Sequence, residues 1–148
     1  MLECVINISE GRQLDTIAKI RSQIGNDVLD IHSDYHHHRS VFTIVGSKTP
    51  HQLAELCAKQ FDLSEHIGVH PRIGIIDVVP FVPLDDSTIE DAINARNEFA
   101  EFAASELKIP SFVYGPERDL PEVRKRAFVD LTPDFGPNES HPTAGAIC

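Results

Sequence analysis

Residues 66–84 read HIGVHPRIGIIDVVPFVPL and pass from polar, turn-forming residues into an apolar run. The segment Ile73–Val82 is rich in β-branched residues and too short for a typical helix, so it predicts a buried strand. Pro71 fixes its own φ and favours extended geometry at His70. We therefore expect His70 and Arg72 on a stiff turn at the start of a core strand, a common position for side chains that face a cleft.

His70 and Arg72 are the first candidates for chemistry. Histidine is the side chain whose ordinary pKa, about 6.5, lies nearest neutrality, so it can both accept and donate protons. The planar guanidinium of arginine offers a fork of donors to a carboxylate. The alternatives are a histidine that only caps a turn and an arginine in a structural ion pair, both of which are common.

The composition is that of an ordinary globular chain with an acidic balance. Its 148 residues suffice for one domain with a sizeable core. With 13 Lys and Arg against 23 Asp and Glu, the net charge is −10, and no basic run favours nucleic acid or anionic membranes as partners. The 3 cysteines lack metal-ligand spacing and indicate a reducing compartment. The opening MLECVINISEG has no signal-peptide features, so we expect a cytoplasmic protein.

Strand and helix patterns alternate along the chain. Apolar residues at helical spacing predict a first helix from Arg12 to about Ile24. Ser87 and Glu90 have the spacing of a capping box for a later helix, which Pro110 ends. The other predicted elements are strands at Leu2–Ile8, Val28–Ile31, Arg39–Gly46, Ile73–Val82 and Ser111–Tyr114, a helix opened by Thr49 and Pro50, a short helix within Leu120–Phe128, and a tail that is mostly loop.

The order of these elements predicts the fold class. Strand, helix, strand, strand, helix, strand, followed by a helix and a strand, fits an α+β two-layer sandwich. We expect a ferredoxin-like arrangement, with a mixed β-sheet that carries its helices on one face. A doubly wound parallel sheet is the alternative, but no glycine-rich phosphate loop follows the first strand.

A second polar cluster precedes Arg39. Asp30, His32 and Asp34 share one strand face at period two, and three histidines follow at residues 36–38. Imidazole and carboxylate ligands together suit zinc and similar ions. Three adjacent histidines in a turn cannot easily converge on one ion, so we expect a solvated turn and no metal site.

Four stretches resemble one known family. Residues 70–84, HPRIGIIDVVPFVPL, resemble the catalytic stretch of the glutamate formiminotransferase family, in which the histidine before Pro-Arg is catalytic. Residues 3–11, ECVINISEG, are similar to its opening strand and turn. Residues 30–46, DIHSDYHHHRSVFTIVG, resemble its Asp-rich strand end, an Asn-Arg pair and the next strand. Residues 133–146, PDFGPNESHPTAGA, resemble its folate-binding stretch closely.

Several positions depart from the family pattern. Ile6 and Ile8 stand where the family usually has Pro and Phe, and His38 replaces the Asn of the Asn-Arg pair. His32 replaces an Asp associated with the family's active site. The segment between Phe128 and Asp134 is shorter than usual. These departures bear on retained catalysis more than on kinship.

The resemblance implies a domain organisation. It covers residues 1–148 as the amino-terminal subdomain of the transferase unit, with the second subdomain expected to be absent. In the family the folate site lies between the two subdomains. A lone copy would expose apolar surface, so we expect a homo-oligomer or a partner chain that supplies the second subdomain.

The resemblance also implies a reaction and a set of site residues. The family transfers the formimino group of formiminoglutamate to N5 of tetrahydrofolate, and His70 occupies the catalytic position, where an imidazole can shuttle the proton. Arg39, Arg72 and Asp30 are the expected substrate-binding residues. Tetrahydrofolate is the expected co-substrate, with no metal. The folate-binding residues would be Gly136, Pro137, Asn138, Glu139, Ser140, His141, Pro142, Thr143, Ala144 and Gly145.

Two other functions remain open at this point. The chain could be a non-catalytic folate-binding or protein-interaction module, or one half of a split enzyme. An enzyme requires that His70 face a cleft with Arg39 or the 136–145 segment beside it. We also expect residues 134–145 to lie near His70 in space.

Overall fold

Five strands form one sheet in the computed structural model, which describes residues 1–148. They are β1 (Leu2–Ile8), β2 (Val28–Asp34), β3 (Arg39–Val45), β4 (Ile76–Val78) and β5 (Phe81–Pro83). The order is β2-β3-β1-β4, and β5 also pairs with β1. Pairings between these strands are antiparallel, while an isolated parallel bridge joins Ser111 to Ile147. The predicted ferredoxin-like α+β fold is confirmed, and the doubly wound parallel alternative is wrong.

The helices are α1 (Leu14–Ile24), α2 (Thr49–Gln60), α3 (Ile89–Phe102) and α4 (Leu120–Arg126). A 3₁₀ turn covers Leu63–Glu65, and a π-helical turn continues α3 over Ala103–Leu107. None of these helices combines the length and the apolar composition that crossing a membrane requires. The first three helices pack on one face of the sheet, where one apolar core joins Ile17, Ile20, Leu53, Cys57 and Phe99 to the strand residues Cys4, Ile6, Ile8, Phe42 and Ile44.

Strand alternation divides the remaining side chains from this core. Residues of β1 and β3 are alternately buried and partly exposed, as expected when one face of a sheet is covered. The register places Asp34 opposite Arg39 and His32 opposite Val41. We call the surface turned away from α1–α3 the open face, and it carries Asn7, Asp30, His32, Asp34, Arg39, Val41 and Thr43.

The predicted strand Ile73–Val82 is divided into β4 and β5 by a break at Pro80. Proline has no amide hydrogen to donate to a neighbouring strand. The register of β1 against β4 also shifts between Asn7 and Ile8. The pairing resumes because the Val5 amide donates to the Pro80 carbonyl at 3.3 Å.

The tail is more ordered than its Pro and Gly content predicts. Residues 144–148 are buried and run beside β4. The Cys148 amide donates to the Asp77 carbonyl at 3.0 Å, and the Val79 amide donates to the Cys148 carbonyl at 2.8 Å. The last residues therefore bond along β4, but the tail contains only turns and isolated bridges and is mostly loop, as predicted.

The capping box of α3 lies one residue later than predicted. The Thr88 hydroxyl accepts from the Asp91 amide at 3.2 Å, and the Asp91 carboxylate accepts from the Thr88 amide at 2.7 Å. Ser87 and Glu90 do not form the box, because the Ser87 hydroxyl bonds the amino group of Met1.

Two other boundaries differ from the sequence-based expectation. α1 begins at Leu14 and not at Arg12, because the Glu10 carboxylate accepts from the amides of Arg12 and Gln13 at 2.7 and 2.9 Å and holds that turn outside the helix. β2 continues past Ile31 to Asp34, since its polar end pairs fully with β3. The longer β2 brings its last side chains beside Arg39.

Candidate active site

Asp77 is a fully buried carboxylate within the apolar segment of β4. Its Oδ1 accepts from the amides of Ile73 and Gly74 at 2.7 and 3.3 Å. Its Oδ2 accepts from Arg124 of α4 at 2.7 Å and lies 3.5 Å from Nη1 of Arg39. A buried carboxylate needs such partners because an unpaired one would lose its hydration without compensation. Asp77 thus fixes both the turn after His70 and the guanidinium of Arg39.

Arg39 is held on the open face by three contacts. Its Nε donates to Oδ1 of Asn7 at 2.9 Å, and its Nη1 contacts both Asp77 and Nδ1 of His70. Burial lowers the pKa of Arg39, with Asp77 opposing the change. Guanidinium groups stay protonated in proteins. A fixed cation therefore lies directly beside the imidazole.

His70 has two partners on one nitrogen and none on the other. Nδ1 contacts Arg39 Nη1, and it lies 2.7 Å from the carbonyl oxygen of Pro71. An arginine N–H can only donate, whereas a carbonyl can only accept. Nε2 has no hydrogen-bond partner within the protein. It is therefore the nitrogen available to a substrate.

His70 and Arg39 line an open cleft of about 240 Å³ on the open face. His37 also lines it, with its ring centroid 6.3 Å from that of His70. The backbone amide and side chain of His37 hydrogen-bond Asp34 and lower the pKa of that carboxyl. The remaining lining residues are His32, Asp34 and Val41. The cleft expected for an enzyme, with His70 and Arg39 together, is present.

Arg72 and Asp30 lie outside this cleft. The Arg72 guanidinium donates to the carbonyls of Gly68, His70 and His66 at 3.1 to 3.2 Å, so it clamps its own loop. Asp30 is exposed on β2, four residues before Asp34, which places it roughly 13 Å farther along the strand. Of the three predicted substrate-binding residues, only Arg39 contacts the imidazole of His70.

The predicted folate segment is anchored at one end and exposed at the other. Residues 136–140 are exposed. The Ile75 amide donates to the Ala144 carbonyl, and the Leu63 amide donates to the Thr143 carbonyl, at 2.9 and 2.7 Å. Gly145 also pairs with Gly74. The carboxyl end of the segment is thus bonded to the strand that follows His70.

Comparison with known proteins identifies the family. Residues 1–148 match the family model described as "Formiminotransferase domain, N-terminal subdomain". This chain belongs to the formiminotransferase family.

Curated relatives agree with this assignment. The chain is 38% identical to a glutamate formimidoyltransferase of Streptococcus pyogenes serotype M1, over 98% of this chain and 56% of that protein. It is 34% identical to a glutamate formimidoyltransferase of Thermoplasma acidophilum, over 93% and 54%. It is 33% identical to a formimidoyltransferase-cyclodeaminase of Dictyostelium discoideum, over 99% and 32%. The chain spans about half the length of the first two relatives and about a third of the last.

His38, at a position that departs from the formiminotransferase pattern, is buried. The prediction that the whole histidine cluster is a solvated turn is wrong for this residue, which is 8% exposed, although residues 36 and 37 are exposed. Its Nδ1 accepts from the Gly11 amide at 3.0 Å, and its ring stacks on His66 at a centroid distance of 4.1 Å. No three His, Cys, Asp or Glu side chains are arranged to hold a metal ion.

The stacked histidines line a separate polar pocket of about 200 Å³. Burial lowers the pKa of His38, and the nearby Glu10 opposes the change. Burial also lowers the pKa of His66, which hydrogen-bonds the His38 carbonyl at 3.0 Å. The other lining residues are Ser9, Glu10, Gln13, Gln60, Asp62 and Glu65.

Sequence reasoning missed Asp77 as the residue on which the cleft depends. One signal was present, since a lone carboxylate within an apolar strand must find partners. Its partners Arg39 and Arg124 belong to distant elements, and no local pattern connects them to it. The stacking of His38 on His66 had no sequence signal that we recognise.

Proposed function

We propose that this chain carries the acid–base half of a formimino-transfer site. The reaction would move the formimino group of formiminoglutamate to N5 of tetrahydrofolate, with His70 as the catalytic residue. The observation that carries the proposal is the cleft in which His70 keeps Nε2 free while Arg39 and buried Asp77 hold its other side. The kinship with glutamate formimidoyltransferases supports the reaction class.

The proton balance of the transfer assigns the role of His70. N5 of the folate attacks the formimino carbon, a C–N bond forms, and the attacking amine gives up its proton to Nε2. The bond between that carbon and the glutamate nitrogen then breaks, and Nε2 returns the proton to the departing nitrogen. One neutral imidazole serves both steps, so no net proton is gained or lost.

Binding of the two substrates would use groups around the cleft. Nη2 of Arg39 has no protein partner and is available to a glutamate carboxylate. We assign folate binding to Gly136–Gly145, because an exposed segment anchored beside the strand of His70 suits ligand contact. Arg72 and Asp30 remain predicted substrate-binding residues. Arg72 would have to release the carbonyls of its own loop, and the substrate would have to extend along β2 to reach Asp30.

A partner that completes the site is part of the proposal. The family model describes an N-terminal subdomain, and the matched relatives are about twice as long or longer. We propose that a second subdomain covers the folate segment, whether it continues the same chain, belongs to another chain or is replaced by a second copy. Light scattering across a range of concentrations would measure association. A strict monomer at high concentration would contradict the second-copy version.

The test is a transfer assay combined with a folate-binding measurement. The chain is assayed alone and mixed with the carboxyl-terminal half of the streptococcal relative, with formiminoglutamate and tetrahydrofolate as substrates. We expect folate binding by the chain and transfer at least in the mixture. Folate binding with no transfer in either sample would favour the non-catalytic module, which His32 and His38 make the main alternative. Absence of both would overturn the proposal.

A further inference from the structure

We propose that Asp77 is a positioning residue that sets the tautomer of His70 through the shared donor Arg39. The inference rests on the proposed role of His70. It concerns a residue that touches neither the cleft nor a substrate, since Asp77 is fully buried and does not line the cavity.

Nδ1 of His70 faces one group that can only donate and one that can only accept. When Nδ1 carries the proton it can donate to the Pro71 carbonyl at 2.7 Å, and Nε2 is then a bare base. When Nδ1 is bare it can accept from Arg39 Nη1, and Nε2 then carries the proton. Each neutral tautomer thus has one dedicated partner. The first can take the proton of the attacking amine, and the second presents a proton toward the cleft.

His70 and Asp77 compete for the same nitrogen of Arg39. Nη1 of Arg39 contacts Nδ1 of His70 and forms an ion pair with Oδ2 of Asp77 at 3.5 Å, while Nε donates to Asn7 at 2.9 Å. A stronger pull by Asp77 weakens donation to His70 and favours the tautomer bonded to Pro71. A weaker pull does the reverse. The charge on Asp77 therefore changes how strongly Nη1 donates to the imidazole.

Arg124 weakens the attraction between Asp77 and Arg39. It donates to the same oxygen, Oδ2, at 2.7 Å, which is shorter than the 3.5 Å separation from Arg39. Without Arg124, Oδ2 of Asp77 attracts Arg39 more strongly, and Arg39 donates less to His70. Without the charge of Asp77, Arg39 donates more strongly to His70. The two changes should therefore shift the tautomer in opposite directions, which a purely structural role for Asp77 would not produce.

The experiment measures tautomers by ¹⁵N chemical shifts of histidine-labelled protein at pH 7.5, with the His70 signals assigned by their loss in His70→Gln. In Asp77→Asn, where the amide oxygen can still accept from Ile73 and Gly74, we expect the population protonated at Nε2 to rise about two- to tenfold. In Arg124→Met and in Arg39→Met we expect the population protonated at Nδ1 to rise. Asp77→Glu should restore the wild-type ratio at least in part.

Turnover gives the second readout. Asp77→Asn should lower kcat while leaving KM for both substrates nearly unchanged, because the substrate-facing donor of Arg39 remains. An unchanged tautomer ratio in the three variants, or a shift of the same sign in Asp77→Asn and Arg124→Met, would overturn the inference. If Asp77→Asn fails to fold, Arg39→Met and Arg124→Met still test it. The tautomer measurement needs no turnover, so its outcome is separate from failure of the proposed transfer.

Discussion

His70 and His38 are two histidines in one small domain, and they differ in exposure and in the groups that contact Nδ1. His70 keeps one ring nitrogen free in an open cleft beside a fixed cation. His38 is 8% exposed, accepts a backbone amide and stacks on a second imidazole. We therefore expect His70 to be the reactive residue because it lies in the open cleft beside Arg39, whatever the number of neighbouring histidines.

The largest expected effect is a loss of stability when a side chain is added at Gly74, in the segment that follows His70. In Gly74→Val the new Cβ would lie 1.9 Å from the carbonyl oxygen of Ala146, which is backbone and cannot move aside. We expect a loss of about 4 kcal/mol or more in the free energy of unfolding, measured by urea denaturation.

Gly46→Ala is the control for backbone strain without a steric clash. It has a positive φ but nothing within 4 Å of the added Cβ, so it should cost only about 1 to 2 kcal/mol of backbone strain. Equal losses in the two variants would contradict the proposed clash at Gly74.

Much of the fold follows from local sequence, and the site does not. The apolar periodicity of α1 and the alternation of β1 predict those elements closely, and the stiff His-Pro turn indicates His70. The break at Pro80 was not predicted, although a proline within a strand pattern is a local signal for one. Asp77 and His38 depend on long-range partners, Arg124 and His66, that no local period encodes.

A smaller loss of stability is expected when Arg72 no longer bonds the loop from His66 to His70. Arg72→Ala removes donors to the carbonyls of Gly68, His70 and His66. Loss of charged donors to carbonyls should cost about 1 to 3 kcal/mol and increase amide exchange in residues 66–72. Hydrogen exchange with mass spectrometry measures this. Exchange that stays at the wild-type rate would show that Pro71 alone fixes the loop.

The smallest effect is a pH dependence of stability that comes from His38 and its stacked partner His66. Burial lowers the pKa of His38 and His66 in the folded chain. Below the unfolded value of about 6.5, the unfolded chain binds more protons, so stability is full above that pH and declines as the pH falls through the lower folded values. Glu10, Arg12 and Arg72 face the pair, with only Glu10 favouring protonation.

Thermal unfolding between pH 7.5 and 5.5 measures this decline. His38→Asn should reduce the dependence, and asparagine tolerates the positive φ of 54° at this position. A change of 1 kcal/mol corresponds to a shift of about 4 °C in Tm for a domain of this size. His36→Asn, at an exposed position, should leave the pH dependence as in wild type. Equal responses of the two variants would remove His38 as its source.

The most direct test of the acid–base role compares turnover with folate binding in His70→Ala, using His37→Ala as the cleft-lining control. Both proteins are assayed under the conditions in which wild type transfers the formimino group. The account predicts a loss of about 10² to 10⁴-fold in kcat for His70→Ala with nearly unchanged folate affinity, and only a small change for His37→Ala. Wild-type turnover in folded His70→Ala, or loss of folate binding in place of turnover, would contradict the assignment of His70 as the proton shuttle.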